Sequence, residues 1–338
     1  MKKLSICIPT LNRVRCLRNC LESIYRSSKQ SNIDFEVCIS DNASHENVLQ
    51  IIDEYKVLIP IKFNQYEKNY GLGVNILKTV SMANSEFSWI IGNDDMLLDN
   101  TLSRLDEIFK SNIDVDYFFV NSYHLSSEYV FNKKQPFNQI DLPNKMKKFS
   151  DFKNDLTCNY FDLINYKISF DFLLGQFLSI FKTDMWRSNL NAINLDLIKD
   201  TRVMSNIYNT FSHNIIFAKA FSNSKAHFVS DPLSICLYGE RDWWKDYYAF
   251  VESVRIPELL EVYRKNGLPY LSYIINKNFA LRKLFVFLFK LVFVKEIKGW
   301  EYLSIKSHVI KNLLYPSIYL MPFFYLIRKI YKKTLSID

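Results

Sequence analysis

Glycine and proline are scarce, 7 and 9 in 338 residues, which excludes collagen-like repeats and a chain made of flexible linkers. Cysteine is scarce as well. Cys7, Cys16, Cys20, Cys38, Cys158 and Cys236 are too few for a disulfide scaffold, and no C-x-x-C occurs. Cys16 and Cys20 are four apart on an expected helix, which places two thiols on one face. All six are expected to be buried small hydrophobes in a reducing compartment. No G-x-G-x-x-G follows the first strand and no G-x-x-x-x-G-K-[S/T] exists, which excludes the common dinucleotide-binding and P-loop signatures. Long apolar runs are missing too. Leu284–Val294 is broken by Lys290, and the 15 uncharged residues Leu313–Ile327 contain Pro316 and Pro322. Neither reaches the ~20 residues that span a bilayer. Lys2 and Lys3 precede a short apolar stretch that ends at Pro9, too short for a signal-peptide core, so a cytoplasmic chain without a leader is expected.

What is present is an ordinary globular composition, 49% apolar and 23% charged. The length suggests about two domains. The net charge of +8 is unevenly placed. Residues 277–338 hold 12 Lys and Arg against 3 acids, which leaves residues 1–276 at −1. A basic tail on a neutral body gives little support to nucleic-acid binding, and no nucleic-acid partner is expected.

The first 125 residues alternate in type. Strand-like runs at Leu4–Ile8, Phe35–Ser40, Pro60–Phe63, Phe87–Ile91 and Asp116–Val120 are separated by helical periods. The helices fall at Val14–Ser27, around Val48–Tyr55, after Asn69-Tyr-Gly-Leu-Gly73, and from a cap at Asp99-Asn100-Thr101 to Lys110. This alternation predicts an α/β, doubly wound, mostly parallel sheet. Residues 126–168 read as loop or insertion. Phe170–Phe181 reads as a buried strand, with a helix starting at Thr183-Asp184. Ser212 is the expected cap of a helix His213–Phe221, and His227–Cys236 an expected strand pair. The pattern is helical from Tyr247. The expected division is 1–245 for a catalytic α/β domain and 246–338 for a helical, basic and aromatic extension.

Parallel sheets bind ligands beyond the carboxyl ends of their strands. Three polar clusters fall there: Pro9-Thr-Leu-Asn12, Ser40-Asp-Asn42 and Asn93-Asp-Asp95. Asp94 and Asp95 are the strongest chemistry, because adjacent carboxylates suit a hard divalent cation shared with phosphates. Plain turn chemistry is the alternative for Gly-Asn-Asp-Asp. Gly71-Leu-Gly73 reads as a helix start or as a phosphate contact.

Ile6-Cys-Ile-Pro-Thr-Leu-Asn-Arg13, Ile39-Ser-Asp-Asn-Ala-Ser44, Asn69-Tyr-Gly-Leu-Gly-Val-Asn75 and Trp89-Ile-Ile-Gly-Asn-Asp-Asp95 stand in the order and spacing of the family 2 glycosyltransferases. The resemblance covers residues 3–110. More loosely, through Phe181–Trp186, Ser212-His213 and Asp231–Cys236, the chain resembles bacterial O-antigen sugar transferases of the abequosyltransferase type. It implies the GT-A fold and an inverting single displacement. On that resemblance Pro9, Thr10, Asn12 and Arg13 border the nucleotide-sugar, with Asn69 opening the third motif, and Asp41 bonds the nucleobase. An Asx turn is the other reading of Asp41. Asp94 faces the ribose or metal, and Asp95 holds Mg²⁺ or Mn²⁺ on the diphosphate. Gly92 stands where the wider family often has a third carboxylate. His213 matches the position of the base, with Asp200 and Asp196 as alternatives. Arg241 is placed to reach the pyrophosphate, or to sit on the rim.

The implied donor is a nucleotide-sugar, with CDP-abequose first and a dTDP- or UDP-sugar second. The implied acceptor is a polyprenyl-diphosphate-linked oligosaccharide of surface polysaccharide synthesis. Aromatics interleaved with Lys and Arg in the tail suit a helix lying on an anionic leaflet, here the cytoplasmic face of the inner membrane. A helical cap on the core is the alternative for the tail. A sugar nucleotidyltransferase and a non-catalytic membrane-associated binding protein are the competing functions.

Overall fold

The computed structural model of the protein describes residues 2–171, 175–239, 242–294 and 297–320. The alternating N-terminal pattern folds as β1 (Lys2–Thr10), α1 (Val14–Ser28), β2 (Phe35–Asp41), α2 (Val48–Tyr55), β3 (Ile61–Gln65), α3 (Leu72–Ser81) and β4 (Ser85–Ile90). After these come β5 (Asp95–Leu97), α4 (Thr101–Ser111), β6 (Tyr117–Ser126) and α5 (Ser127–Phe131). β1 pairs in parallel with both β2 and β4, and β2 with β3, so four strands point their carboxyl ends the same way. β1 and β2 are buried along nearly their whole length, as apolar runs covered on both faces require.

The later chain supplies β7 (Lys147–Lys148), β8 (Leu156–Asn159), β9 (Ser179–Lys182), α6 (Thr183–Ser188), α7 (Ile207–Thr210), α8 (Ser212–Ala220) and β10 (Lys225–Tyr238). The sheet order is β3-β2-β1-β4-β9-β6-β10-β5, with β7 beside β6 and β8 beside β10. β9 runs antiparallel between β4 and β6, so the sheet is mixed, with a parallel half that carries the polar clusters. The helical C-terminal part holds α9 (Asp242–Phe250), α10 (Ile256–Lys265), α11 (Tyr270–Ala280) and α12 (Leu284–Phe293).

Several expectations are corrected. The strand expected over Phe170–Phe181 is only Ser179–Lys182, preceded by a 3-10 turn at Gln176–Leu178. Phe177 and Leu178 are buried in the core, and Phe177 presents its carbonyl to the buried Trp89 indole N–H at 2.7 Å. The strand pair expected at His227–Cys236 is one long strand, with a register shift between Val229 and Ser234 where Asp231-Pro232 interrupts the ladder to β6. The 126–168 stretch is not all loop, since β7 and β8 add to the sheet. α4 takes no cap bond from Asn100; the Leu102 N–H is satisfied by Ser27 Oγ of α1 at 2.9 Å. Ser212 begins α8 without capping it.

All six cysteines are free, and five are buried. One continuous apolar cluster runs from Leu4 to Ile318 and includes Leu281, Leu284 and Phe287 of the C-terminal part. No helix among the described residues is long and apolar enough to cross a membrane.

Candidate functional site

The parallel strands β1, β2 and β4 end side by side. Thr10 lies opposite Asp41, and Ile91 N–H continues the ladder to the Cys7 carbonyl at 3.0 Å. The residues that follow each strand therefore converge on one crevice.

The first loop turns sharply, with Asn12 at φ 57° and Arg13 at φ 58°, both left-handed. Such a conformation is tolerated by Asn and costs about 1 kcal/mol or more at Arg. The turn is held by the segment after β2. Asn12 N–H donates to Ser44 Oγ at 2.6 Å, and Asn12 Oδ1 accepts from His45 N–H at 2.8 Å. Glu46 accepts from the N–H groups of Arg13 and Val14 at 2.9 and 2.7 Å, which places an anion on the start of α1. So fixed, Arg13 turns its guanidinium onto Asp94, NH1 to Oδ2 3.2 Å. Asn93 closes the same link: its Nδ2 donates to Thr10 Oγ1 at 2.8 Å and to the Asn12 carbonyl at 3.1 Å. Pro9 and Thr10, expected to border the nucleotide from the loop, are still strand residues inside β1.

Asp94 and Asp95 are 2% and 0% exposed. Asp95 opens β5 opposite Cys236 of β10 and accepts the Gly92 N–H at 2.6 Å, closing a tight turn. The Cys20 thiol lies beneath, bonded to the Gly92 carbonyl at 3.8 Å. Burial, then the charges of Asp95 and Asp94, push that thiol well above its ordinary pKa. No group of three or more His, Cys, Asp or Glu side chains that could hold a metal is gathered among the described residues. The donor set present, two adjacent carboxylates, fits a hard cation that takes its remaining oxygens from a diphosphate and water.

Asp41 is fully buried at the end of β2. Its Oδ1 accepts from Ser44 N–H and Oγ at 3.1 and 2.5 Å, an Asx turn, and its Oδ2 from Gln65 Nε2 at 3.0 Å. Asn42, next in sequence, donates to Asn69 Oδ1 at 2.8 Å and accepts from Tyr70 N–H at 2.9 Å. Asn69 is thereby drawn to the same crevice. Gly71 follows at φ +87° and α3 starts directly after it, so this Gly-rich stretch is a helix start. Asp200 and Thr201 pack on Gly71: a Cβ added there would meet the Thr201 Cα at 3.7 Å and the Asp200 carbonyl at 3.8 Å.

Asp200 is gripped by Arg202, Nε and NH2 at 3.0 and 2.7 Å, and that guanidinium holds its carboxyl well below the usual range. His213 is on α8. It is 3% exposed and edge-on to Phe211 and Phe217, so it is an interior residue rather than a cap or a surface one. Asp196 is exposed. Arg241 lies outside the described residues. The structure thus brings Thr10, Asn12, Arg13, Asp41, Asn69, Asp94 and Asp95 into one bonded network, with Asp200 on its border. Asn42, Ser44 and Asn93 stood inside the quoted motifs without a role. Glu46 and Arg202 carried no sequence signal.

Known proteins place this geometry. The glycosyl transferase family 2 profile matches residues 5–168. The chain is similar to the abequosyltransferase of Salmonella typhimurium, 28% identical over 245 residues, 69% of this chain and 66% of that one. It is also similar to a poly(ribitol-phosphate) beta-N-acetylglucosaminyltransferase of Staphylococcus aureus, 31% identical over 33% of this chain and 34% of the relative. The match therefore spans just under two thirds of the first relative's length and about one third of the second's. Among solved structures, S. aureus TarS residues 1–349 in complex with UDP-GlcNAc superposes at TM-score 0.58 with 18% identity, over 87% of this chain and 76% of that one. A mannosyltransferase of Pyrobaculum calidifontis in complex with GDP-Man and Mn²⁺ gives 0.50 with 11% identity, over 99% and 88%. Residues 5–168 are matched as a glycosyl transferase family 2 domain, and the chain shares the GT-A fold of the solved glycosyltransferases.

Proposed function

We propose that the protein is an inverting hexosyltransferase that moves a sugar from a nucleotide-diphosphate donor to a lipid-linked oligosaccharide of surface polysaccharide synthesis. The observation that carries this reading is the Arg13–Asp94 pair beside Asp95, set at the joined carboxyl ends of three parallel strands. A cation and two carboxylates at that crevice suit a diphosphate and its counter-ion. Asp94 and Asp95 would hold Mg²⁺ or Mn²⁺, which when bound supplies charge neutralisation to the leaving diphosphate. Arg13 contributes a fixed cation of its own. In the displacement the acceptor hydroxyl oxygen forms a bond to the anomeric carbon and the bond to the β-phosphate oxygen breaks. The hydroxyl proton passes to a carboxylate or imidazole, and nucleoside diphosphate leaves.

Of the two proposed bases, Asp200 lies on the turn that packs on Gly71 and Arg202 keeps it ionised, whereas His213 is buried on α8, edge-on to Phe211 and Phe217. Asp41 with Gln65 forms the end wall proposed for the nucleobase. The abequosyltransferase relative supports abequose as the sugar moved, and CDP-abequose with an O-antigen acceptor is the proposed pair. The UDP-GlcNAc complex of TarS supports a UDP-sugar as the alternative. The C-terminal part, proposed as residues 246–338, exposes Phe289, Val292 and Phe293 along one side of α12 at 62–68%, beside Lys290. An apolar strip with basic neighbours supports peripheral attachment to the anionic cytoplasmic leaflet.

The test is incubation with CDP-, dTDP-, UDP- and GDP-sugars and a lipid-linked acceptor, following release of nucleoside diphosphate. Acceptor-dependent release from one nucleotide class is expected. Pyrophosphate formation from a nucleotide triphosphate and a sugar phosphate would instead make it a nucleotidyltransferase.

A further inference from the structure

The C-terminal part reaches back to the border of the candidate site through one buried cation. Arg255 is 3% exposed and lies just before α10. Its Nε and NH2 donate to the Met204 carbonyl at 3.1 and 3.0 Å, and NH2 also to the Ser205 carbonyl at 2.7 Å. Met204 sits at φ 56°, a left-handed turn that an unbranched residue holds only when its surroundings insist on it. The same turn carries Asp200 and Arg202, whose carbonyls are gathered by Asn209 Nδ2 at 2.8 and 2.9 Å.

The remaining Arg255 nitrogen, NH1, donates to Glu258 at 2.6 Å, and Glu258 in turn meets His308 Nε2 at 2.9 Å. His308 Nδ1 accepts the Ser304 backbone N–H at 2.9 Å. A backbone N–H can only donate, so the ring proton sits on Nε2 and points at Glu258. Burial raises the Glu258 carboxyl, but His308 and Arg255 outweigh it and hold it below its ordinary value. A second contact runs alongside: the Arg202 guanidinium lies over the Tyr302 ring at 5.8 Å. Ser304, His308 and Tyr302 all belong to the segment after α12, about 100 residues beyond the turn they brace.

We propose that Arg255 is a positioning residue. Fixed by Glu258 and His308, it pins the 200–205 turn and so sets Asp200, whose backbone packs on Gly71, at the border of the crevice. The catalytic consequence rests on the glycosyltransferase reading above; the mechanical one does not. Replacing Arg255 by Lys keeps the charge but cannot reach two carbonyls and a carboxylate at once. Replacing His308 by Leu removes the far end of the strut at a residue remote from the crevice.

The experiment has two arms on the full chain. Trypsin cleavage of the Arg202–Val203 bond, followed by mass spectrometry, is expected to run about tenfold faster in Arg255→Lys and in His308→Leu, as for losing one charge-assisted hydrogen bond. Transfer kinetics are expected to show kcat lower by about tenfold in both variants, with donor KM and nucleoside diphosphate affinity unchanged. Cleavage at the parent rate in both variants overturns the strut whatever the chemistry of the site. A joint loss of kcat, donor affinity and melting temperature overturns positioning in favour of general destabilisation. Faster cleavage in a protein that transfers no sugar leaves the strut standing and sinks the glycosyltransferase reading.

Discussion

Asp95 offers a clean separation of fold from chemistry. Its Oδ2 accepts the buried Gly92 N–H at 2.6 Å, and its carboxylate is the proposed metal ligand. Asp95→Ala removes both roles. It strands a buried donor, which costs about 1–3 kcal/mol. At roughly 2–4 °C per kcal/mol for a chain of this size class, the melting midpoint should fall by several degrees. Asp95→Asn keeps an oxygen for the Gly92 N–H in nearly the same place, so its melting curve should follow the parent's. The asparagine is nevertheless a far poorer ligand for a hard cation and carries no charge. If a metal there supplies about 3–4 kcal/mol to the departing diphosphate, turnover of Asp95→Asn should fall by roughly 10²–10³. The assay is nucleotide release under saturating donor with Mg²⁺ or Mn²⁺, beside differential scanning fluorimetry of both variants. An asparagine variant that turns over at the parent rate would refute the assignment of Asp95. An alanine variant that melts with the parent would refute the account of the Gly92 turn.

Three further outcomes are expected. Arg202→Gln releases the Asp200 carboxyl to rise toward its ordinary pKa of about 3.9. The acid limb of the kcat profile should therefore move to higher pH if Asp200 is the base, and stay fixed if the base is His213, for which His213→Ala gives the complementary loss of kcat. Glu36 is buried at the opposite end of the sheet, where it accepts from Ser5 Oγ, Asn84 N–H and Lys62 Nζ at 2.8, 2.6 and 2.9 Å. Burial raises its carboxyl, but Lys62, Asn84 and Ser5 together carry it below the ordinary value. A depressed folded-state pKa stabilises above the unfolded value near 4.3 and loses that stability as pH falls through the folded one. Urea unfolding should show Glu36→Gln clearly weaker than the parent at neutral pH, with the gap narrowing as pH falls below the unfolded carboxylate range; a gap that holds at acid pH would refute it. For the membrane face, the combined change Phe289→Ser, Val292→Ser and Phe293→Ser should abolish flotation with anionic vesicles, and equal flotation would refute it. These exposed positions are better probes than a truncation near Asn276, which would strip Leu281, Leu284 and Phe287 from the core.

The parallel half of the sheet was legible because its signals are local. Each apolar run of five or six residues meets a polar cluster, and a helical period follows. The convergence of Thr10, Asp41 and Asp94 then follows from parallel pairing alone. The rest depended on partners far apart in sequence. Glu46 caps a helix that starts 32 residues before it, so no window around α1 contains its cap. Phe170–Phe181 has the composition of a strand, but among its described residues Phe170 and Phe177 pack on the rings of Phe279 and Phe149, and Ser179–Lys182 alone pairs with β4 and β6. His213 matches the base at an expected helix start, whereas the structure buries it on α8, edge-on to Phe211 and Phe217. Asp200 and Arg202 are sequence neighbours, yet their place at the crevice comes from Arg255, Asn209 and Gly71.

The short strand that Asp95 opens has its ladder partner at Ser234–Cys236 of β10, some 140 residues later. A chain emerging from the ribosome therefore carries the four ordered motifs between Ile6 and Asp95 long before it has the strand that pairs with Asp95. The family-matched stretch ends at residue 168, and β10 begins at Lys225. Until that strand arrives, Asp95 has no edge to lie against, and a nascent chain that binds nucleotide early would do so without its metal-side wall. On the proposed reading, competence for metal and donor together is a late event of synthesis, timed by the strand that precedes the C-terminal helices.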